Sequence, residues 1–289
     1  MTTPSLLGRL AVVIALLVPH ASVHGQGDPL WRSVDLSRQL HDSLPKRIRV
    51  RYGAGTVDVR GAGESLLYAM HLRYDERRAV PVHRFDADRQ SVLLGLESRG
   101  PGLGRSGGGQ DVGELRLALP RTVPLDLDLE FGGTEATLEL GGLTLQSLRL
   151  ACGATDATLA FISPNRTRMR DLEVNVGAAS FAGRQLANAN AEQMRFHGGI
   201  GSVDLDFGGT WTRDLSVTTR LAVGKLTLRV PSDVGVRLEL RRVAAGFEQQ
   251  GLVERDGAWY SDNWETAPHK LRILAETFFG QIDLRRATR

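Results

Sequence analysis

Apolar and polar residues alternate with a period of two along most of this chain, and the alternation is interrupted at regular places by small residues. Five segments aligned on one another show the same plan: residues 127–140 (LDLEFGGTEATLEL), 148–161 (LRLACGATDATLAF), 172–184 (LEVNVGAASFAGR), 194–207 (MRFHGGIGSVDLDF) and 217–230 (VTTRLAVGKLTLRV). Each reads apolar-x-apolar-x, a glycine-rich or small kink, then x-apolar-x-apolar. Residues 48–59 (IRVRYGAGTVDV) and 274–284 (LAETFFGQIDL) are looser copies. A period of two is that of half-buried strands, and no stretch of comparable length keeps a helical period. The kinks of the central five fall 21 to 24 residues apart, a solenoid spacing.

These features predict an all-β chain: a single β-solenoid, right-handed and β-helix-like, with repeats of about 22 residues. The kink needs residues without bulk, because stacked coils bring neighbouring backbones together at a bend. Gly132, Gly153, Gly177 and Gly199 form one column that Ala222 continues; Gly133, Ala154, Ala178, Ile200 and Val223 form the next. Gly224 and Gly280 join the set of expected structural glycines. Leu127, Leu148, Leu172, Met194 and Val217 form an inward ladder, as do Leu138, Leu159, Leu205 and Leu228. An outward column, Asp128, Arg149, Glu173, Arg195 and Thr218, alternates in charge from coil to coil and is a candidate interaction face. Neighbours there stand about 5 Å apart, so the charges favour one register.

The regular pattern has flanks. Residues 1–25 carry one early charge at Arg9, an apolar run from Leu10 to Val18, Pro19 and a small polar stretch, the plan of a secretory signal peptide. The run is too short for a hydrocarbon core that needs about 20 residues. Residues 26–98 are expected to be an irregular β opening of the same sheet, 99–111 a glycine-rich linker, and 112–289 the repeat domain. Trp259, Tyr260 and Trp264 are placed to cover the last coil, since terminal repeats need a cap.

Composition narrows the chemistry. The net charge of +3 is small for 289 residues and its signs are interspersed, which gives no footprint for nucleic acid. The single cysteine, Cys152, lies in an apolar alternation and reads as a core residue. The 7 histidines are scattered, so no metal site and no cofactor motif is indicated. His197 before Gly198–Gly199, with Ser202 and Asp204 nearby, superficially suggests a hydrolase, but those glycines belong to the kink. Asp126 with Asp128, and Asp204 with Asp206, are the best carboxylate pairs, and a solvated strand face explains them. Gly53–Ala54–Gly55 leads into another strand and offers no helix terminus to a phosphate. Asn165–Arg166–Thr167 matches a glycosylation acceptor pattern, and Arg285, Arg286 and Arg289 form a short basic tail.

Residues 138–150 (LELGGLTLQSLRL), 186–209, 225–240 (KLTLRVPSDVGVRLEL) and 260–284 resemble the toast-rack domains of bacterial cell-envelope proteins. That family includes cell-wall-stress response proteins of the LiaF type and adhesin-like relatives. The resemblance implies an envelope location and carries no catalytic residues. The expected function is therefore a non-enzymatic, exported scaffold in the periplasm or at the cell surface. Its expected partners are an envelope protein, a cell-wall polymer, the membrane periphery or another copy of itself. An envelope-stress regulator and a polysaccharide-active β-helix enzyme are the alternatives.

Overall fold

The computed structural model describes residues 29–63, 65–99 and 113–287. The export segment expected at 1–25 and, beyond Arg99, the linker expected at 99–111 lie outside the described residues. In chain order the strands are β1 (Trp31–Gln39), β2 (Lys46–Gly61), β3 (Leu66–Asp75), β4 (Ala79–Asp86), β5 (Ser91–Ser98), β6 (Glu114–Leu119), β7 (Leu125–Glu139), β8 (Leu145–Ala160), β9 (Met169–Arg184), β10 (Ala191–Asp206), β11 (Leu215–Pro231), β12 (Gly235–Gln249), β13 (Leu252–Arg255), β14 (Ala258–Ser261) and β15 (Lys270–Ala287). They form one 15-stranded sheet. The one helical element among the described residues is a 3-10 turn at Leu186–Ala189.

The long strands β7 to β11 pair in parallel, each with its successor in the chain, so that Leu127, Leu148, Leu172, Met194 and Val217 stack. β2 stacks ahead of them, with Ile48 against Leu127. Side-chain bonds between successive rungs from β7 to β10 join residues 21 to 24 apart. The spacing is not kept throughout: 79 residues separate Arg49 on β2 from Asp128, and 56 separate Arg220 from Glu276. At the far end the order leaves the chain order altogether, because β15 lies between β11 and β12.

Each long strand changes phase once. In β7 the buried residues are Leu125, Leu127, Leu129 and Phe131, then Thr134, Ala136 and Leu138, so Gly132 and Gly133 both face outward. The ladder passes from Phe131–Cys152 straight to Gly133–Ala154. Two consecutive outward residues let a single strand line two walls of the core, as a bulge does. The third wall is the return between strands, contributed by Leu143, Phe161, Leu186, Phe207 and Trp211, and all three walls belong to one buried cluster. Each such side chain contributes about 1.5–3 kcal/mol by leaving water.

Buried asparagines hold the returns. The Asn165 amide donates to the Leu145 carbonyl at 2.9 Å and accepts from the Leu145 N–H at 2.8 Å. Asn188 donates to the Phe161 carbonyl at 2.8 Å and accepts from the Thr210 N–H at 2.7 Å. Asn165 is 4% exposed, so the acceptor pattern at 165–167 is a packed corner whose amide is fully engaged, not a surface loop.

The two ends are finished differently. β5 covers the first half of β2, and β6, β3 and β1 cover the second half. At the other end β14 pairs with Arg237 and Leu238 of β12, and Trp259 packs on Phe247 with ring centres 5.2 Å apart. Among the described residues no strand pairs with the outer edge of β12 beyond Leu238, and the Arg242 guanidinium covers the Ala245 carbonyl at 2.9 Å. The aromatic segment therefore closes only part of the last rung.

Candidate functional site

The phase change gives the molecule a belt of outward residues that crosses the sheet. Gly132, Gly153, Gly177 and Gly199 lie there because the preceding rung's carbonyl occupies the place of a Cβ. A methyl group on Gly132 would stand 2.1 Å from the Gly53 carbonyl oxygen, one on Gly177 2.8 Å from that of Gly153, and one on Gly199 2.6 Å from that of Gly177. Ala222 and Phe278 continue this position on β11 and β15, as the flanking pairs Leu221–Thr277 and Val223–Phe279 require. A second tight position lies two residues further along the strand. Gly201, Gly224 and Gly280 occupy it with φ of 143°, 139° and 130°, and a methyl group on Gly224 or Gly280 would meet a carbonyl oxygen at 1.8 Å. The expected structural glycines thus fall in two columns, with Gly224 and Gly280 in the second.

Along the first column runs an open groove of about 930 Å³, crossing β2, β7 to β11 and β15. At a strand spacing of about 4.8 Å it extends roughly 29 Å. Its floor is the backbone of Gly53, Gly132, Gly153, Gly177 and Gly199, and one wall carries Arg51, Glu130, Asn175, His197, Arg220 and Glu276. Leu96 on β5 and Phe278 on β15 mark its two ends. The wall's charges are internally matched: Arg51 bonds Glu130 at 3.0 Å and Arg220 bonds Glu276 at 2.5 Å. Cys152 lies behind the floor, 6% exposed, and burial pushes its thiol pKa up to about 12, which leaves it a poor nucleophile at neutral pH.

The alternating column Asp128, Arg149, Glu173 and Arg195 stacks in register on the outer face. Its charges serve one another and their neighbours: Asp128 pairs with Arg49 at 2.8 Å, Arg149 with Glu173 at 3.2 Å, and Arg195 with Asp171 at 2.7 Å. The Glu173 carboxyl is held below the usual carboxylate range by the Asn175 amide, against the effect of burial and with help from Arg149 and Arg195. The carboxylate pairs are similarly engaged. Asp126 accepts from Ser147 at 2.5 Å, Asp204 pairs with Arg229 at 2.8 Å, and Asp206 accepts from the Gly208 N–H at 2.8 Å.

Ser202 bonds Ser180 at 3.4 Å rather than a histidine, while His197 lies on the groove wall before the kink. Among the described residues no cluster of His, Cys, Asp and Glu is arranged to hold a metal ion. No helix among them is long and apolar enough to cross a membrane. The groove was missed in the sequence because its floor is backbone; the run of glycines is its only sequence trace.

The family described as the N-terminal domain of toast-rack, DUF2154, matches residues 38–182, half of the chain, and the chain belongs to it. The putative cell adhesion protein of Clostridium sporogenes is similar in structure, with 15% identity and a TM-score of 0.47 over 90% of this chain and 100% of that one. A putative adhesin of Bacteroides fragilis is similar with 8% identity and a TM-score of 0.41 over 88% of this chain and 97% of that one. No functionally curated protein matches the sequence.

Proposed function

We propose that this toast-rack protein is a non-enzymatic, exported cell-envelope scaffold, periplasmic or surface-exposed, whose kink groove receives an extended and electrically neutral polymer segment. The observation that carries the reading is the groove itself: about 930 Å³, crossing the sheet over a glycine floor, with Arg51 paired to Glu130 and Arg220 to Glu276 on its wall. A floor of backbone lets a chain approach closely, and planar side chains held by ion pairs keep fixed hydrogen-bonding directions without cost at the moment of binding. Matched charges give a polyanion no advantage. Register steps of 21 to 24 residues in the central rungs support the finer description of a right-handed coil of about 22 residues per turn. The acids that a polysaccharide-active enzyme would need are tied to arginines and backbone, and no observation favours a stress-regulating role.

The test is retention of the mature chain on isolated cell-wall sacculi and on solubilised envelope fractions. Saturable retention that Ala151→Trp or Asn175→Trp abolishes by filling the groove is expected, while Arg149→Glu with Arg195→Glu on the ladder face leaves it intact. Retention indifferent to the groove-filling variants overturns the reading.

A further inference from the structure

Ile200, Val223, Val243, Phe278 and Phe279 are 62%, 40%, 74%, 59% and 55% exposed. They are not scattered. Ile200, Val223 and Phe279 face one another on β10, β11 and β15, and Val243 lies beside Phe278 on β12, as the pairs Arg242–Thr277 and Ala244–Phe279 dictate. Five large apolar side chains therefore make one continuous ridge across four neighbouring strands, which runs on from the end of the groove at Phe278. The other exposed large apolar residues, such as Leu44, Val80 and Ile162, belong to unrelated places in the fold. A contiguous exposed patch marks an interaction surface.

The charges around the ridge say what kind of partner fits. Arg220 and Arg241, on either side of β15, both bond Glu276; their side chains are 57% and 68% exposed and the glutamate 18%. Lys225 is 52% exposed above Asp283, which is 6% exposed. Arg242 pairs with the inward-facing Thr277 and bonds the Ala245 carbonyl, so it belongs to the open end of β12 and not to this rim, while Glu248, further along the same strand, is exposed. Glu276, shared by two arginines, and Asp283 lie beneath their partners, so the surface offered to an approaching body beside the ridge is apolar with a cationic rim.

We propose that this ridge is a peripheral docking surface for an anionic lipid bilayer, the apolar side chains entering the boundary between headgroups and acyl chains while Arg220, Lys225 and Arg241 meet lipid phosphates. Apolar insertion and attraction of basic side chains to anionic lipid reinforce one another in such surfaces. A second copy is the poorer occupant, because a two-fold contact through the ridge would bring the same cationic rims together. The proposal shares Arg220, Glu276 and Phe278 with the end of the groove and otherwise stands on separate residues.

The experiment is vesicle flotation of the mature chain with phosphatidylcholine alone and with phosphatidylcholine mixed with phosphatidylglycerol, at low and physiological salt. Binding to the mixed vesicles that salt weakens is expected. Phe278→Ser with Phe279→Ser, and separately Lys225→Gln with Arg241→Gln, should each weaken it by about tenfold or more. These side chains are exposed, and unchanged circular dichroism and melting will show that both variants fold. Asn175→Trp should bind vesicles as the parent does, which separates this proposal from the groove. Absence of binding to the mixed vesicles, or parental binding by either double variant, overturns it. So does a lipid-free dimer that the phenylalanine variant dissociates, which would make the ridge a contact between copies.

Discussion

The kink of β7, β8 and β9 and the kink of β11 and β15 make the same bend with the tight position in different places. In the first region the crowded residue is the first of the two outward positions, where Gly132, Gly153 and Gly177 sit under a neighbour's carbonyl. In the second it is two residues later, at Gly224 and Gly280, and the backbone there adopts φ values that L side chains rarely take. β10 has the first crowding at Gly199 and the unusual φ of the second at Gly201. Once the crowding has moved, the outward positions before it are free to carry bulk, and they hold Ala222, Val223, Phe278 and Phe279. The same fold thus presents a glycine groove over one half of its bend and an apolar ridge over the other. What decides the surface is where the backbone is crowded, not how many glycines the bend contains.

Alanine scanning of the kink breaks the comparison most directly. Gly280→Ala puts a Cβ 1.8 Å from the Gly224 carbonyl oxygen at φ 130°; we expect a loss of about 3–5 kcal/mol in urea unfolding, or failure to fold. Gly132→Ala meets a carbonyl oxygen at 2.1 Å but without the unusual φ, and about 2–4 kcal/mol is expected. Gly153→Ala, at 3.0 Å, should cost about 1 kcal/mol. An equal loss at Gly280 and Gly153 would mean that the two regions do not differ as described.

A pair of phenylalanines sharpens the contrast. Phe131 is 4% exposed and ends the first wall of β7, so Phe131→Ala should cost about 3–5 kcal/mol. Phe278→Ala, at an outward position, should change thermal stability by less than about 0.5 kcal/mol.

The smallest effect concerns the ladder face. Arg149→Ala removes an exposed ion pair with Glu173, worth less than about 1 kcal/mol and less still at high salt. Because the folded pKa of Glu173 lies below its unfolded value, its contribution is complete above the ordinary carboxylate range and is lost as pH falls through the folded value. Glu173→Gln should therefore flatten the acid limb of the melting temperature against pH, and an unchanged acid limb would show that Glu173 adds nothing to it.

Much of the central sheet was legible because its information is local. Gly132, Gly153, Gly177, Gly199 and Ala222 align by sequence, and the observed pairs Leu127–Leu148, Leu172–Met194 and Met194–Val217 have the register that this alignment gives. The ridge was not legible. Ile200 and Val223 look like any other apolar residue in an alternating strand, and only the doubled outward step at the kink turns them to solvent. Nor was β12 legible as a rung: its second half, Arg241–Gln249, is exposed along most of its length and lacks the apolar alternation that a paired strand shows. The corner at Asn165 is a further case, since a surface acceptor pattern and a buried asparagine that replaces backbone hydrogen bonds are spelled alike. Among the candidate site features, the carboxylates could be found by reading, whereas the groove depends on which strands lie side by side.

The strand order β11–β15–β12 has a consequence for how the chain matures. β12 precedes β15 in synthesis but reaches the sheet only through it, since its parallel partner is β15 and not β11. Until Lys270–Ala287 has emerged, the edge of β11 stays open and β12 has only the short β14 to pair with. The final rung is thus assembled by insertion, with the last strand acting as a keystone rather than as a terminal addition. Completion of the fold should lag behind formation of the β7–β11 stack, and the interval in which the β11 edge is bare is when a newly made molecule is most exposed to aggregation or to a chaperone.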